Sequence, residues 1–330
     1  MFYSTKFRSK KFKVLRRNAV VTTFIKNLPF IREVRRNKYL YLLALPGILV
    51  LVVFGYLPLS TYVLAFKDYK QADGIFGSRF VGFDNFKFFF GGPDWLRVTV
   101  NTLYLNLLFL IVGLSFAVLL AVFINEIRNR KLKKTLQSLV FLPYFISWMV
   151  VSVMAYSLLS TDGGMINEFL KAIGLHTVNW YQESKYWPAI LLFVNLWKGA
   201  GYNSIIFLSA ITAIPLDIYE SAEIDGVTKA QQLFYITLPM LRKVVVIMFL
   251  LGIGRVFYGD FGLIYALVGD NGMLFPTTDV IDTYAYRALR QLGNFSMSSA
   301  ITLYQSFMGL ITIVIFNSIA KKIEPDAKLF

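Results

Sequence analysis

The 330-residue chain contains no cysteine and a single histidine, His176. Without cysteine there is no disulfide and no thiolate chemistry. One imidazole with no thiolate beside it is too few ligands for a zinc site, so no metal site is expected. Carboxylates are scarce as well, 19 Asp and Glu against 34 Lys and Arg. Few fall within a long apolar run, and Asp260 is at the margin of one. An intramembrane enzyme would need paired carboxylates or a histidine cluster at that depth, and no such set of catalytic residues is present. An ion-coupled secondary transporter of a small polar solute, the alternative reading, would favour acids in the spans and repeated broken helices; neither is evident. There is also no G-x-x-x-x-G-K-[ST] segment. Gly91-Gly92-Pro93 and Gly163-Gly164 lack the following Lys-Ser/Thr, so the chain has no phosphate-cradling loop of its own.

What the chain has in excess is apolar length. Hydrophobic residues make up 56% and mean hydropathy is +0.57, too much for the soluble domains that length alone would suggest. Crossing a hydrocarbon layer of about 30 Å takes about 20 apolar residues in a helix. Six runs are on that scale, roughly 39–66, 99–125, 136–159, 188–214, 241–258 and 298–320. Backbone groups in lipid must be satisfied within the segment, so the expected fold is an all-α polytopic membrane protein with six transmembrane helices.

The net charge of +15 is distributed by loop. Segments 1–38, 126–134, 215–243 and 321–330 carry 23 Lys and Arg; the alternate loops 67–98, 160–186 and 255–297 carry 10. This asymmetry is the positive-inside pattern and puts both termini in the cytoplasm of a multi-pass protein. No basic module interleaved with aromatics appears, so nucleic acid is not expected as a partner. The chain therefore reads as a basic N-terminal segment (1–38), a membrane domain (39–320) and a short cytoplasmic tail (321–330). Within 1–38 the weakly apolar stretch 18–31 is too short to span and lacks a cleavage site. A helix on the anionic inner leaflet and a disordered topogenic tail both fit it.

Pro46 and Pro58 predict a bent first span. The run FVGFDNFKFFF suits a short interfacial element with aromatic anchors. Thr161-Asp162-Gly163-Gly164 reads as a turn before a short amphipathic outside helix. The long, Tyr-rich outside segment 255–297 reads as a functional loop, with Tyr284, Tyr286, Arg287 and Arg290 available to a docked protein or an entering solute.

One polar segment stands between two apolar runs, 215–239. Pro215 suits a first helical turn. Residues 216–224 place Ile218, Tyr219 and Ala222 on one face. Asp225-Gly226 is a C-cap signal, because Gly tolerates a left-handed backbone. Thr228 and Gln231 have capping-box spacing and start a second short helix, and Pro239 marks where the fifth span begins. The product is a helix–turn–helix beneath the membrane. It is either an ordinary hairpin or a lever that a partner grips in a groove.

The spacing Glu220, Ala222, Gly226, then Ile236-x-Leu238-Pro239, resembles the cytoplasmic coupling loop of ATP-driven importers. FKDY (66–69), VGFDNF (81–86), NEIRNRKLKKTLQSLVFLPYFISWMVV (125–151) and LLSTDGG (158–164) are similar to the maltose-type carbohydrate permeases, and most to their LplB-like oligosaccharide and polysaccharide branch. Ser221 departs from the family's Glu-Ala-Ala. The resemblance implies a type I ABC importer permease fold in the plasma membrane and carbohydrate as substrate. It implies a second homologous permease, two ATPase subunits that bind ATP and Mg, and an extracellular solute-binding protein, with no cofactor in this chain. It assigns Glu220, Ser221, Ala222, Asp225, Gly226, Ile236, Leu238 and Pro239 to coupling with the ATPase.

A sugar site wants aromatic faces beside amides and hydroxyls. Candidates along the spans are Asn195, Trp197, Lys198, Tyr202 and Asn203, then Arg255, Tyr258 and Asp260, then Tyr304 and Gln305. Helix packing explains each equally well. Lys198, near the centre of its run, needs a partner carboxylate, water or substrate.

Overall fold

The computed structural model describes residues 36–323 and Glu33. The segment 1–38 and the tail 321–330 fall almost entirely outside the described residues, and so does the choice between a surface helix and a topogenic tail. The chain divides into two units, residues 1–61 and 62–330. In the first, α1 (Lys38–Leu51) passes through Pro46 unbroken. The helical run then changes pitch, with a π-turn at Val52–Tyr56 and a 3-10 segment at Leu57–Phe66. Pro58 has no N–H to give the carbonyl four residues back. A shift in hydrogen-bond spacing lets the helix pass that gap without ending.

The second unit opens with a two-residue hairpin, β1 (Lys67–Asp68) against β2 (Arg79–Phe80), with Lys67 opposite Phe80 and Asp68 opposite Arg79. The phenylalanine run forms α2 (Asp84–Gly91), which buries Phe89 and leaves Phe88 exposed. Then come α3 (Asp94–Glu126), α4 (Arg130–Phe141), α5 (Trp148–Leu159), α6 (Met165–Ala172) and α7 (Trp187–Thr212). The loop 215–239 supplies α8 (Leu216–Ile224) and α9 (Lys229–Gln232), and α10 (Leu238–Ile253) follows. Three short helices follow, α11 (Phe261–Val268), α12 (Phe275–Thr278) and α13 (Ile281–Arg290), before the last span, α14 (Phe295–Ile323).

Five helical runs among the described residues are long and apolar enough to cross a membrane: 38–66, 94–126, 184–212, 229–253 and 295–322. A sixth exists only if α4 and α5 count together, and they meet at 97°. The single span expected at 136–159 is therefore corrected to a broken pair of helices. Leu142–Phe145 tightens into a 3-10 turn around Pro143, and Ser147 accepts from Val150 N–H to cap a new helix. The expected fifth span also shifts. It starts at Lys229 and ends at Ile253, and residues 254–260 are a turn.

The expected irregular segment 255–297 is largely helical. FGLIYALV is too short to cross a bilayer but suits a helix buried on several sides; α11 buries Leu263, Ile264, Leu267 and Val268. Arg287, expected to face outward, is turned inward. It donates to the fully buried Asp279 at 2.6 Å, Thr283 donates to the same carboxylate at 2.8 Å, and Arg97 approaches it at 3.4 Å. Its guanidinium also lies 4.0 Å from the Phe275 ring centre. Arg290 remains exposed.

α3 holds the unit together because it enters all three apolar clusters. Leu105 and Phe109 join Val151, Trp187, Leu191 and Leu263; Val98 joins Phe89, Leu250 and Ile301; Ala117 and Ala121 join Phe207 and Leu241. α4 reaches α7 through one glycine. A Cβ on Gly201 would stand 2.1 Å from the carbonyl oxygen of Val140 and 3.0 Å from Phe141 N. The two backbones touch there, and only a missing side chain permits it.

That contact yields a test. Gly201→Ala must push α4 from α7 and should lower thermal stability in lipid by several degrees, about 1–3 kcal/mol for an overpacked core. Gly199→Ala, whose Cβ would meet only Asn203 Nδ2 at 4.0 Å, should be close to neutral. Equal melting temperatures for the two variants would show that α4 does not rest on Gly201.

Candidate functional site

The loop between α7 and α10 is built by local rules from end to end. Pro215 stands just outside α8 in an extended conformation. The helix ends in a Schellman turn. Gly226 N–H donates to Glu223 O at 3.1 Å and Val227 N–H to Ala222 O at 2.9 Å, with Gly226 at φ +78°. An L side chain resists that φ, although space for a Cβ is open. Thr228 then caps α9: Gln231 N–H donates to Thr228 Oγ1, and Thr228 N–H donates to Gln231 Oε1 at 2.8 Å. Lys229 pairs with Glu223 across the turn. Its ammonium holds the Glu223 carboxyl below the usual carboxylate range, first through their hydrogen bond.

The second arm differs from the separate short helix expected. From Lys229 the helix runs on without a break to Ile253, 25 residues. A π-turn at Leu233–Thr237 lies just before Pro239, which sits in the first turn of α10. Pro239 cannot donate to the carbonyl of Tyr235, and the extra residue of the π-turn makes room for its ring. Tyr219 Oη and Thr237 Oγ1 are 2.9 Å apart, which ties α8 to that π-turn. Ala222 is buried, with Ile218 and Tyr219 half-buried beside it. Glu220, Ser221, Asp225 and Pro239 are exposed, Ile236 and Leu238 half-buried. Leu216 and Ile224 leave 74% and 87% of their surface exposed next to the acids.

A second feature lies where α3, α7 and the end of α10 meet, a cavity of about 590 Å³. Five of the ten residues picked out along the spans line it: Asn195, Asn203, Arg255, Tyr258 and Asp260. Asn106 is a sixth polar lining residue, missed although it interrupts an apolar run. Its Nδ2 donates to Val256 O at 2.8 Å. The cavity's rim is the turn 254–260. Asp260 Oδ1 accepts from Leu263 N–H at 3.0 Å, and Tyr258 Oη donates to Ser306 at 3.0 Å. Arg255 is exposed there.

The other five lie elsewhere. Trp197 lines apolar clefts on another face of α7. Tyr202 stacks on Tyr144, centroids 4.4 Å apart. Tyr304 packs with Phe89 and Phe90. Gln305 is buried and donates to Phe257 O at 2.7 Å and to Asp282 at 2.8 Å. Lys198 is 9% exposed and its ammonium is filled by backbone: Ile146 O at 2.6 Å, Tyr144 O at 2.7 Å and Pro143 O at 3.4 Å.

A broken third span, a capped loop feeding straight into the fifth, and a cavity with six polar side chains in its lining at the far end of that helix now stand together. The model for binding-protein-dependent transport system inner membrane components matches residues 98–328. The chain belongs to that family. It is 36% identical over 287 residues to the polygalacturonan/rhamnogalacturonan transport system permease protein YteP of Bacillus subtilis (strain 168), covering 87% of this chain and 89% of that one. It is 32% identical over 311 residues to protein LplB of the same organism, covering 94% and 97%. Among solved structures it resembles a chain of a bacterial ABC transporter involved in the import of the acidic polysaccharide alginate, with TM-score 0.82 and 30% identity over 90% of this chain and 100% of that one. A structure of the bacterial alginate transporter in complex with an alginate pentasaccharide-bound periplasmic protein matches with TM-score 0.80 and 31% identity, covering 88% and 97%. The fold is that of an ABC importer permease, multi-pass and all-α.

For this permease the loop geometry makes a direct prediction. Gly226→Val strains the Schellman turn by on the order of 1 kcal/mol or more, and Thr228→Ala removes a cap worth about 1 kcal/mol. Amide exchange over residues 216–237 should quicken in both while that of α3 stays as it was. Unaltered exchange in Gly226→Val would mean that the positive φ is not what shapes the loop.

Proposed function

We propose that this chain is one of two homologous membrane subunits of an ATP-driven importer, set in the plasma membrane with both termini in the cytoplasm. Two partner ATPase subunits hold ATP and Mg; the chain itself carries no cofactor and catalyses nothing. An extracellular binding protein delivers the cargo. Closure of the ATPase pair moves the loop 215–239, and the spans alternate between outward and inward access. One observation carries this reading. The loop is fastened to the head of the fifth span through Tyr219 and Thr237, and that helix ends at the cavity, with Gly252 and Arg255 in its wall. The acidic, partly apolar outer face of α8 (Glu220, Leu216 and Ile224) is the surface offered to an ATPase groove.

The cargo we assign is an acidic oligosaccharide or polysaccharide fragment. The solved structures similar to this chain belong to an importer of an acidic polysaccharide. The cavity sets the exposed guanidinium of Arg255 among the amides of Asn195 and Asn203 and the ring of Tyr258. A guanidinium suits a carboxylate in a bidentate pair, amides suit hydroxyls, and an aromatic face suits the apolar side of a sugar.

Two tests follow from the two halves of this proposal. Purified by a tag on this chain, Glu220→Lys should still insert and pair with the second permease. Charge reversal at a partly desolvated contact should release the ATPase or uncouple it, with uptake into vesicles down by at least about tenfold. Normal uptake would remove the loop from the coupling role. Separately, uronate-containing fragments should stimulate ATP hydrolysis more than neutral ones of equal length. Arg255→Gln should erase that preference, at a cost of about 1–3 kcal/mol for a lost charge-assisted bond. Equal stimulation by both fragment classes would set the acidic assignment aside and leave the importer assignment standing.

A further inference from the structure

A helix that breaks inside the membrane leaves carbonyls with no donor, and hydrocarbon has no water to supply one. The break between α4 and α5 does this after Pro143. Ile146 N–H reaches back only to Pro143 O, at 3.1 Å, and Val151 N–H to Ser147 O. The carbonyls of Tyr144 and Ile146 are taken instead by the ammonium of Lys198, which reaches Pro143 O as well. An ammonium has three N–H donors; three carbonyls use all three. Its charge is further stabilised by the ring of Trp148, 4.9 Å away, and that of Tyr144, 5.6 Å away. One turn further along α7, Gly201 lets the α4 backbone lie directly against α7. Lys198 and Gly201 thus present one face of α7 to the break, the first supplying donors and the second room.

We propose that Lys198 is a positioning residue for transport: it acts as a tethered internal cation that fixes the angle of the broken third span and so shapes the cavity wall without touching the cargo. The link to the cavity runs through Trp148. Its indole lies against Gly262, where a Cβ would come within 2.6 Å of Trp148 Cδ1. Gly262 is in the first turn of α11, two residues after Asp260, which lines the cavity and caps that helix. Losing the ammonium strands the carbonyls, lets the break reclose or wander, and moves Trp148 and the rim with it. This inference goes beyond the cargo assignment and does not depend on it.

The chain has no native cysteine, so two introduced ones can be spin-labelled cleanly. Leu139 in α4 and Met154 in α5 flank the break and are both exposed. The labelled chain, reconstituted in lipid with the subunits that co-purify with it, should give one narrow distance distribution. Lys198→Met keeps most of the volume and loses all three donors; the distribution should broaden or shift. Lys198→Arg keeps donors and charge and should restore most of the native distribution. In uptake, Lys198→Met should lower the maximal rate by about tenfold or more with KM changed less than about twofold, the signature of an interaction absent from substrate binding. An unchanged distribution in Lys198→Met overturns the proposal, and so does an arginine variant that behaves like the methionine one. A raised KM with the maximal rate kept overturns it too, because it would put Lys198 in contact with cargo. The distance measurement needs no substrate, so a wrong cargo assignment and a wrong role for Lys198 are separable outcomes.

Discussion

Hydrocarbon supplies no hydrogen bonds, so every interruption of a helix at membrane depth has to be answered by a side chain. Three interruptions among the described residues of this permease show the answer. At the bend after Phe145 it is Lys198. At the turn after Ile253 it is a set of three: Asn106 on Val256 O, Gln305 on Phe257 O, and Asp282 accepting from Gly259 N–H at 2.6 Å. At Pro239 the helix answers for itself, by a π-turn whose Thr237 hydroxyl reaches the carbonyl of Gln232 at 3.4 Å. The broken third span and the short buried α11 exist because these groups are in place.

The same rule explains what was legible in the sequence. Four spans, the first, second, fourth and sixth, appear within a few residues of the apolar runs that announce them, because a run of about 20 apolar residues has few other uses. The turn from α8 into α9 was readable residue by residue, since caps and Schellman turns are local chemistry: Gly226 at the αL position and Thr228 with Gln231 need no tertiary partner. The break in the third span was not readable. Pro143 and Ser147 lie in LPYFIS, a string that a bent and a broken helix share, and the decision rests on Lys198, more than 50 residues away. The fifth span was misjudged at both ends, because Pro239 looks like a boundary when a π-turn can absorb it.

Polar residues in spans carried the ambiguity. Asn195, Asn203, Lys198 and Gln305 look alike in one dimension, each a polar side chain at apolar depth. In the fold they separate into two uses. Asn195 and Asn203 line the cavity on the same face of α7 as Gly199, whereas Lys198 is used up by backbone and Gln305 by the carbonyl of Phe257 and the carboxylate of Asp282. Accounting for the neighbouring backbone is the discriminating step. Lys198 and Gln305 each lie within reach of an interrupted helix and are already occupied by it. Ser221 is a milder case of the same kind. The family pattern has alanine there, but the position is exposed, and the buried contact on α8 falls to Ala222. A hydroxyl at 221 remains in water and leaves the packing of the lever unchanged.

A lever works only if it is stiff between the point pushed and the point moved. From Lys229 to Ile253 the chain is one helix of 25 residues, roughly 37 Å at 1.5 Å per residue. One end is stapled to α8 by Tyr219 and by the Glu223–Lys229 pair; the other carries Gly252 and leads directly into Arg255. Proline in the middle of such a rod would ordinarily make it a hinge. Here the π-turn takes up the proline, and the rod stays continuous. Gly252 is the counterpart at the far end: a Cβ there would stand 2.2 Å from Leu110 Cδ1 of α3, so the rod's tip seats closely on the helix that joins all three clusters. In the proposed mechanism a displacement of α8 is carried along a rod with no soft joint and delivered to α3 and the cavity rim. The hinge must then be outside the rod, and the glycine-bounded turn 254–260, held by the side chains of Asn106, Gln305 and Asp282, is where the chain can bend without exposing bare backbone to lipid.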